Sequence, residues 1–72
     1  MQRIEFPLDG HDFVELHQLL KLVGVVDSGG AGKHLVASGA VEVDGVVELR
    51  KTCKVRAGQV ARVDDVEIVV TG

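Results

Sequence analysis

The spacing of hydrophobic residues changes near the middle of the chain. In the first half, apolar side chains recur every three or four residues, at Phe13, Leu16, Leu19, Leu20 and Val23. This spacing predicts an amphipathic helix, whereas the alternation of apolar and polar residues after Gly39 predicts β-strands. The pattern therefore predicts an α+β fold, with two N-terminal helices packed on a small, mostly antiparallel sheet, in a single domain over residues 1–72.

Two segments precede the second helix. Residues 4–6 are predicted to form a short first strand that ends at Pro7. Asp12 followed by Glu15 fits a capping box, so we expect the first helix to start directly after Asp12. Gly24 is expected to end that helix.

The second helix is predicted to begin after Ser28 as its N-cap, to run to about Ser38 and to end at Gly39. Its first turns contain three glycines: Gly29, Gly30 and Gly32. Each glycine costs about 1 kcal/mol relative to alanine in a helix. A frayed helix start, close packing against the first helix and a role facing a ligand each explain them and remain open alternatives.

The second half is predicted to form hairpins. Val41–Val43 and residues 46–48 flank Asp44-Gly45, a pair suited to a two-residue hairpin turn. Residues 53–55 are expected to form a short strand. Residues 60–63 and 66–70 are expected to form a closing hairpin.

Composition is typical of a small globular protein. Of the 72 residues, 46% are hydrophobic, too many for a disordered chain. No apolar run approaches the ~20 residues of a membrane helix, and the first residues do not resemble a signal peptide. A single cysteine excludes an internal disulfide, so we expect a cytoplasmic location. No membrane association is expected, and the protein is predicted to be a monomer.

The glycine-rich segment 29–33 falls short of a nucleotide-binding P-loop. That motif needs a glycine where this chain has Asp27, and Ser or Thr where it has His34. Nucleotide hydrolysis is therefore not expected.

The other reactive side chains suggest neither a metal site nor a catalytic site. The histidines are scattered, short of the clustered ligands of zinc, and His17 is expected beside the apolar stripe or in solvent. Lys51 and Lys54 would lower the pKa of Cys53, but its place in an alternating stretch favours a small buried residue over a nucleophile. No enzymatic activity and no cofactor are predicted.

Charge is distributed unevenly along a chain whose net charge is −3. Residues 1–49 carry three basic and eight acidic side chains, whereas residues 50–63 carry five basic ones and none that is acidic. A solvated face is the ordinary explanation of a charge run. However, unpaired like charges destabilise a fold, and the local field attracts a polyanion whatever the net charge. The run from Arg50 to Arg56 therefore favours a polyanionic ligand.

An ordered series of short motifs spans about residues 14–63. It comprises a first helix at 16–22, Ser28 as cap, a glycine at the end of the second helix, the hairpin Val41-Glu42-Val43-Asp44-Gly45, and the segment 55–60 around Gly58. This series resembles the RNA-binding domain first described in ribosomal protein S-four, also called the alpha-L motif domain. A small stand-alone bacterial group resembles the chain more closely, with D-G-x-x-E-x-R-K-x-x-K at 44–54.

One position departs from the family. Gly29 follows the capping serine, where the family usually has arginine, although Lys33 keeps the next basic position of that helix. The basic residues after the hairpin would then replace the missing arginine.

The resemblance implies a non-catalytic module that binds structured RNA, ribosomal or transfer RNA, through the helix pair and the adjoining loop, with the ribosome as a candidate place of action. The residues predicted to bind RNA are Lys33, His34, Arg50, Lys51, Lys54 and Arg56. The only aromatic residues, Phe6 and Phe13, are expected in the core. Without a stacking platform, contacts should be mainly to phosphates and 2′-hydroxyls.

Two other classes of protein remain as alternatives. The ending Val-Val-Thr-Gly is superficially similar to β-grasp sulfur carriers, but those end in Gly-Gly and place a hairpin before their helix. A protein-interaction adaptor, with the basic loop docking an acidic partner, is the second alternative.

Overall fold

The computed structural model describes residues 2–72, which form two helices and seven strands. The helices are α1 (Leu16–Leu22) and α2 (Gly29–Ala37). The strands are β1 (Gln2–Pro7), β2 (Val14–Glu15), β3 (Val41–Val43), β4 (Val46–Val47), β5 (Lys54–Val55), β6 (Val60–Val63) and β7 (Val66–Thr71). Within the described residues, no helix is long and apolar enough to cross a membrane.

Five strands form the main sheet, in the order β1-β7-β6-β3-β4. Only β1 and β7 run parallel, with Gln2 opposite Val66 and Pro7 opposite Thr71. The other pairs are antiparallel, so the predicted α+β class with a mostly antiparallel sheet is confirmed. The predicted hairpin turn is also confirmed, because Asp44 and Gly45 both have positive φ, 53° and 83°.

The first helix begins later than the sequence predicts, so the proposed capping box is wrong. Val14 and Glu15 are extended and pair with Val55 and Lys54 of β5. Glu15 occupies the N-cap position without a side-chain cap. This pairing with β5 holds residues 14–15 as a strand, although the apolar spacing continues through them.

Backbone carbonyls of the loop before β5 take the place of a side-chain cap on α1. The N–H of Leu16 donates to the Cys53 carbonyl at 2.9 Å, and the N–H of His17 donates to the Lys51 carbonyl at 3.1 Å. The basic segment is thereby attached to the start of α1.

The second helix begins and ends as predicted. Ser28 is extended, and its Oγ accepts a hydrogen bond from the Ala31 N–H at 3.1 Å. Gly32 lies where α2 crosses α1, because a methyl group on it would lie only 2.7 Å from the His17 carbonyl oxygen. Close helix packing therefore explains Gly32, but not Gly29 or Gly30, which have room for a methyl group.

One hydrophobic core joins both helices to the main sheet. It consists of Leu8, Leu16, Leu19, Leu20, Val36, Val41, Val43, Val55, Ala61, Val63, Ile68 and Val70. Phe6 packs against this core from β1 and is partly buried. Cys53, in the loop before β5, also packs against this core, which thereby connects the loop and both helices.

Candidate nucleic-acid interface

A shallow groove brings α2 and the loop before β5 together. Lys33, His34, Ala37 and Lys51 line it, and we call it the basic groove. Lys33 and His34 project from successive positions of α2 and are exposed, as is Lys51. The bond from the His17 N–H to the Lys51 carbonyl holds the loop in this place. Three of the six residues predicted to bind RNA are therefore neighbours in space.

Arg50 lies in the same loop, but its charge is already paired. Its guanidinium donates to both carboxylate oxygens of Glu48, at 3.0 and 3.2 Å, and its backbone N–H donates to the same carboxylate at 3.0 Å. The hydrogen bond from Arg50 is the main cause that lowers the pKa of Glu48 from 4.5 to about 2. The prediction that residues 50–56 are unpaired cations is therefore wrong for Arg50.

Lys54 and Arg56 lie around an aromatic ring. The Lys54 Nζ is 5.0 Å from the centroid of Phe13, and the Arg56 guanidinium carbon is 5.5 Å from it. Both distances fit cation–π contacts. We call this group the Phe13 cluster, and its two cations remain exposed to solvent.

Phe13 itself is not a core residue, contrary to the sequence prediction. Its side chain is half-buried and lies outside the core cluster. The reason is the late start of α1, because Phe13 precedes β2 and is not on the buried face of the helix.

His17 is the buried polar residue of this region. Of the two predicted places, beside the apolar stripe or in solvent, the structure excludes solvent, because His17 is only 5% exposed and is buried along with Leu16 and Leu20. Its Nε2 lies 3.1 Å from a carboxylate oxygen of Glu15. Its Nδ1 has no hydrogen-bond partner among residues 2–72. The only sequence signal for a buried residue at this place was glycine at positions 29 and 32, because glycine allows a close neighbour. In the structure both glycines lie against His17.

Cys53 packs partly buried against the core, in agreement with the interpretation that it is a small core residue. Burial raises the pKa of its thiol, and a hydrogen bond involving Glu48 adds to this effect. The thiolate is therefore disfavoured. The neighbouring lysines were expected to lower the pKa of Cys53, but the net direction is upward. No group of three or more metal-binding side chains occurs in the described part of the chain.

Comparison with known proteins gives consistent relatives. The protein YbcJ of Escherichia coli (strain K12) is 54% identical over 54 residues, which are 75% of this chain and 77% of that protein. YbcJ of Shigella flexneri matches to the same extent. The S4 domain family matches residues 6–71.

A solved structure has the same fold. The solution structure of YbcJ from E. coli superposes with a TM-score of 0.74 at 44% identity, covering 94% of this chain and 86% of that one. It is described as revealing an alfaL motif involved in RNA-binding. The family match covers nearly the whole chain, and the fold and the order of motifs agree with it. The chain therefore belongs to the S4 domain family.

Proposed function

We propose that this protein is an RNA-binding module that recognises structured RNA, of the ribosomal or transfer type, mainly through phosphate and shape contacts. The basic groove is the centre of the proposed surface. The Phe13 cluster extends it, and Arg50 has only a minor role because Glu48 neutralises it.

The observation that carries the proposal is the convergence of Lys33, His34 and Lys51 in one groove. These residues come from two elements, 17 or more positions apart in the sequence, so the fold concentrates their charge. The net charge of −3 for the whole chain does not prevent binding, because the field within about 8 Å governs attraction of a phosphate.

The distribution of aromatic rings supports recognition of phosphates and shape. Phe6 is partly buried against the core, and the Phe13 ring lies beside two cations. The chain has no Tyr or Trp. Two partly buried phenylalanines do not make the row of exposed rings on which single-stranded RNA stacks, so a folded RNA with regularly spaced phosphates is the better ligand.

The family match also decides between classes of protein. The S4 domain is not an enzyme family, so the module has no catalytic activity of its own. The same match, over residues 6–71, removes the β-grasp carrier as an alternative. The other alternative, an adaptor whose groove binds an acidic protein, is tested together with RNA binding.

The test is the double substitution Lys33→Ala/Lys51→Ala. We expect binding to a transfer-RNA pool to weaken about ten- to hundredfold, because two charge-assisted contacts are lost. The slope of log affinity against log salt should fall by about 0.7–0.9 for each lost phosphate contact. Fluorescence anisotropy over a range of KCl concentrations measures both quantities.

Lys21→Ala is the matched control, since Lys21 is an exposed lysine of α1 that does not line the groove. Its RNA affinity should equal that of the parent protein. Unchanged affinity of the double variant, or equal binding of oligo(U), would contradict the proposal. Loss of an acidic protein partner from the double variant, without RNA binding by the parent, would favour an adaptor.

A further inference from the structure

We propose that the first turn of α2 is a phosphate subsite of the RNA-binding surface, and that a backbone phosphate enters it together with a proton on His17. The inference rests on the proposed function, because the phosphate belongs to the bound RNA. The subsite consists of the backbone N–H groups of Gly29 and Gly30 and the Nδ1 atom of His17.

The buried imidazole of His17 gives the first indication of a ligand. The residue is 5% exposed, yet Nδ1 makes no hydrogen bond within residues 2–72. An unsatisfied buried polar atom costs about 1–3 kcal/mol, and native structures contain few of them. The atom faces the start of α2, since a methyl group built on Gly29 would lie 3.9 Å from it.

Backbone donors at the same place give the second indication. The first N–H groups of a helix have no partner within the helix. In α2 the Ala31 N–H is bonded to Ser28 Oγ, and the Gly32 N–H is bonded to the Ser28 carbonyl. The N–H groups of Gly29 and Gly30 have no acceptor in the described chain. They lie at the positive end of a nine-residue helix, which favours an anion.

The subsite is next to the basic groove. His17 contributes its ring to the subsite and its N–H to the Lys51 carbonyl, at 3.1 Å. Lys33 lies one turn along α2 from Gly29 and lines the groove with Lys51. Because Lys33 is one helical turn of ~5.4 Å from Gly29, we expect an RNA strand that crosses the groove to bring a neighbouring phosphate to the start of α2. Glycine at 29 and 30 leaves the backbone N–H groups open to it.

A proton must accompany the phosphate. Because Nε2 lies 3.1 Å from the Glu15 carboxylate, which accepts hydrogen bonds, the proton of the neutral ring resides on Nε2. Nδ1 then carries a lone pair, which repels a phosphate oxygen. An RNA phosphodiester has no proton to donate, so Nδ1 can bond it only after protonation. Glu15 stabilises the resulting imidazolium, and by reciprocity the phosphate and the proton strengthen each other's binding.

The charged groups around His17 are few. Glu15 bonds its ring, Lys51 contacts it through a backbone carbonyl, and α2 carries Lys33 and His34 in the groove. Asp27 precedes the Ser28 cap, is exposed, and opposes an anion at the subsite. Asp27→Asn should therefore tighten binding.

The test uses two probes, inorganic sulfate, which stays doubly charged between pH 6 and 8, and the transfer-RNA pool. In sulfate titrations of ¹⁵N-labelled protein, we expect the amide signals of Gly29 and Gly30 and the ring nitrogens of His17 to shift together. RNA affinity should increase as the pH falls from 8 to 6, by at most tenfold per pH unit for one proton. Calorimetry in buffers of different ionisation enthalpy should show proton uptake on RNA binding.

Two variants separate the subsite from folding. Gly29→Pro removes one N–H at the first helical position, where proline is favoured, and Ser28 has the extended backbone that a following proline requires. Gly29→Ala is its control because it keeps the N–H. His17→Gln keeps a donor for Glu15 but has no atom that titrates. His11→Gln is the control histidine variant, because His11 is exposed and does not line the basic groove. His34→Gln serves as a background that removes the titratable side chain of the groove.

We expect RNA affinity about tenfold weaker for Gly29→Pro than for Gly29→Ala at an equal melting temperature. In the His34→Gln background, the further substitution His17→Gln should abolish the proton uptake, whereas His11→Gln should keep it. RNA binding with unshifted Gly29 and Gly30 signals, or with unchanged proton uptake in His17→Gln, would overturn the subsite but leave the proposed function standing. Sulfate shifts with no difference in RNA binding between Gly29→Pro and Gly29→Ala would mean an adventitious ion only. Absence of RNA binding by the parent protein would overturn both.

Discussion

Arg50 is the residue where the charge pattern and the structure differ most. In the sequence it opens an acid-free run, and it counts as a cation available to RNA. In the structure Glu48 lies two residues before it and forms a bidentate ion pair with it. Glu48 lies two positions before the start of the run, and only the turn of the backbone between Glu48 and Arg50 decides whether their side chains meet.

Glu48→Gln tests this pairing. Removal of the carboxylate leaves the Arg50 guanidinium available to a phosphate, so we expect tighter RNA binding and a log–log salt slope steeper by about 0.7–0.9. The measurement is anisotropy of labelled transfer RNA across KCl concentrations. Glu5→Gln is the matched control, because it removes an exposed acidic charge on β1, away from the basic segment. Equal effects of the two variants would show that total charge matters and the pairing does not.

The pH behaviour of this pair follows from the lowered pKa of Glu48. A carboxyl whose pKa is depressed by folding stabilises the fold above its ordinary value of 4.5, and the effect disappears as the pH falls through about 2. The pair is therefore intact throughout pH 5–8. Any pH dependence of RNA binding in that range belongs to other groups, which makes the proton uptake expected at His17 measurable.

At the scale of elements, local signals identified the type of both helices and of every strand except β2, but they placed the limits less well. Ser28 and the Asp44-Gly45 turn were predicted correctly, because each acts through its own backbone or side chain. The start of α1 was not, because β5 lies about 40 residues away and pairs with Val14 and Glu15. The spacing of apolar residues cannot reveal a strand partner so far away in the sequence. It therefore places Phe13 on the buried face of a helix that in fact begins only at Leu16.

The glycines of α2 have different surroundings, so alanine substitutions at Gly32 and Gly30 should have different effects on stability. A methyl group on Gly32 would lie 2.7 Å from the His17 carbonyl oxygen, so we expect Gly32→Ala to reduce the free energy of unfolding by about 1–3 kcal/mol. Gly30→Ala is the matched control, since its methyl group would lie 3.9 Å from Ser28 Oγ, an ordinary contact.

That control should be neutral or stabilising by up to about 1 kcal/mol, because alanine favours the helix. Urea denaturation of both variants measures the difference. A Gly32→Ala protein as stable as Gly30→Ala would show that α1 and α2 separate at little cost, contrary to the close approach described above.

For the whole molecule, the sequence predicted the fold class and the basic segment, but not how the fold divides that segment. Lys51 turns towards α2 and joins the basic groove. Lys54 and Arg56 flank the buried Val55, so the alternation of the strand places both beside Phe13. Lys33 and Lys51 line the same groove because α2 packs on α1 and the His17 N–H of α1 holds the loop at Lys51. Lys51 and Lys54 are therefore close in the sequence but lie on different surfaces, whereas Lys33 and Lys51 are distant in the sequence but lie on the same surface.

We expect one RNA molecule to contact both the basic groove and the Phe13 cluster. The test compares Lys51→Ala and Lys54→Ala with the double variant. We expect each single substitution to reduce the salt slope by about 0.7–0.9 and the double substitution by the sum, because each lysine neutralises a different phosphate. The fold-losses in affinity should multiply, as they do for sites without shared partners. Anisotropy with transfer RNA measures all four proteins, and urea denaturation shows whether loss of the contact between Lys54 and Phe13 destabilises the fold. A Lys54→Ala protein with reduced stability and an unchanged salt slope would limit the role of the Phe13 cluster to packing and confine the RNA surface to the basic groove and the start of α2.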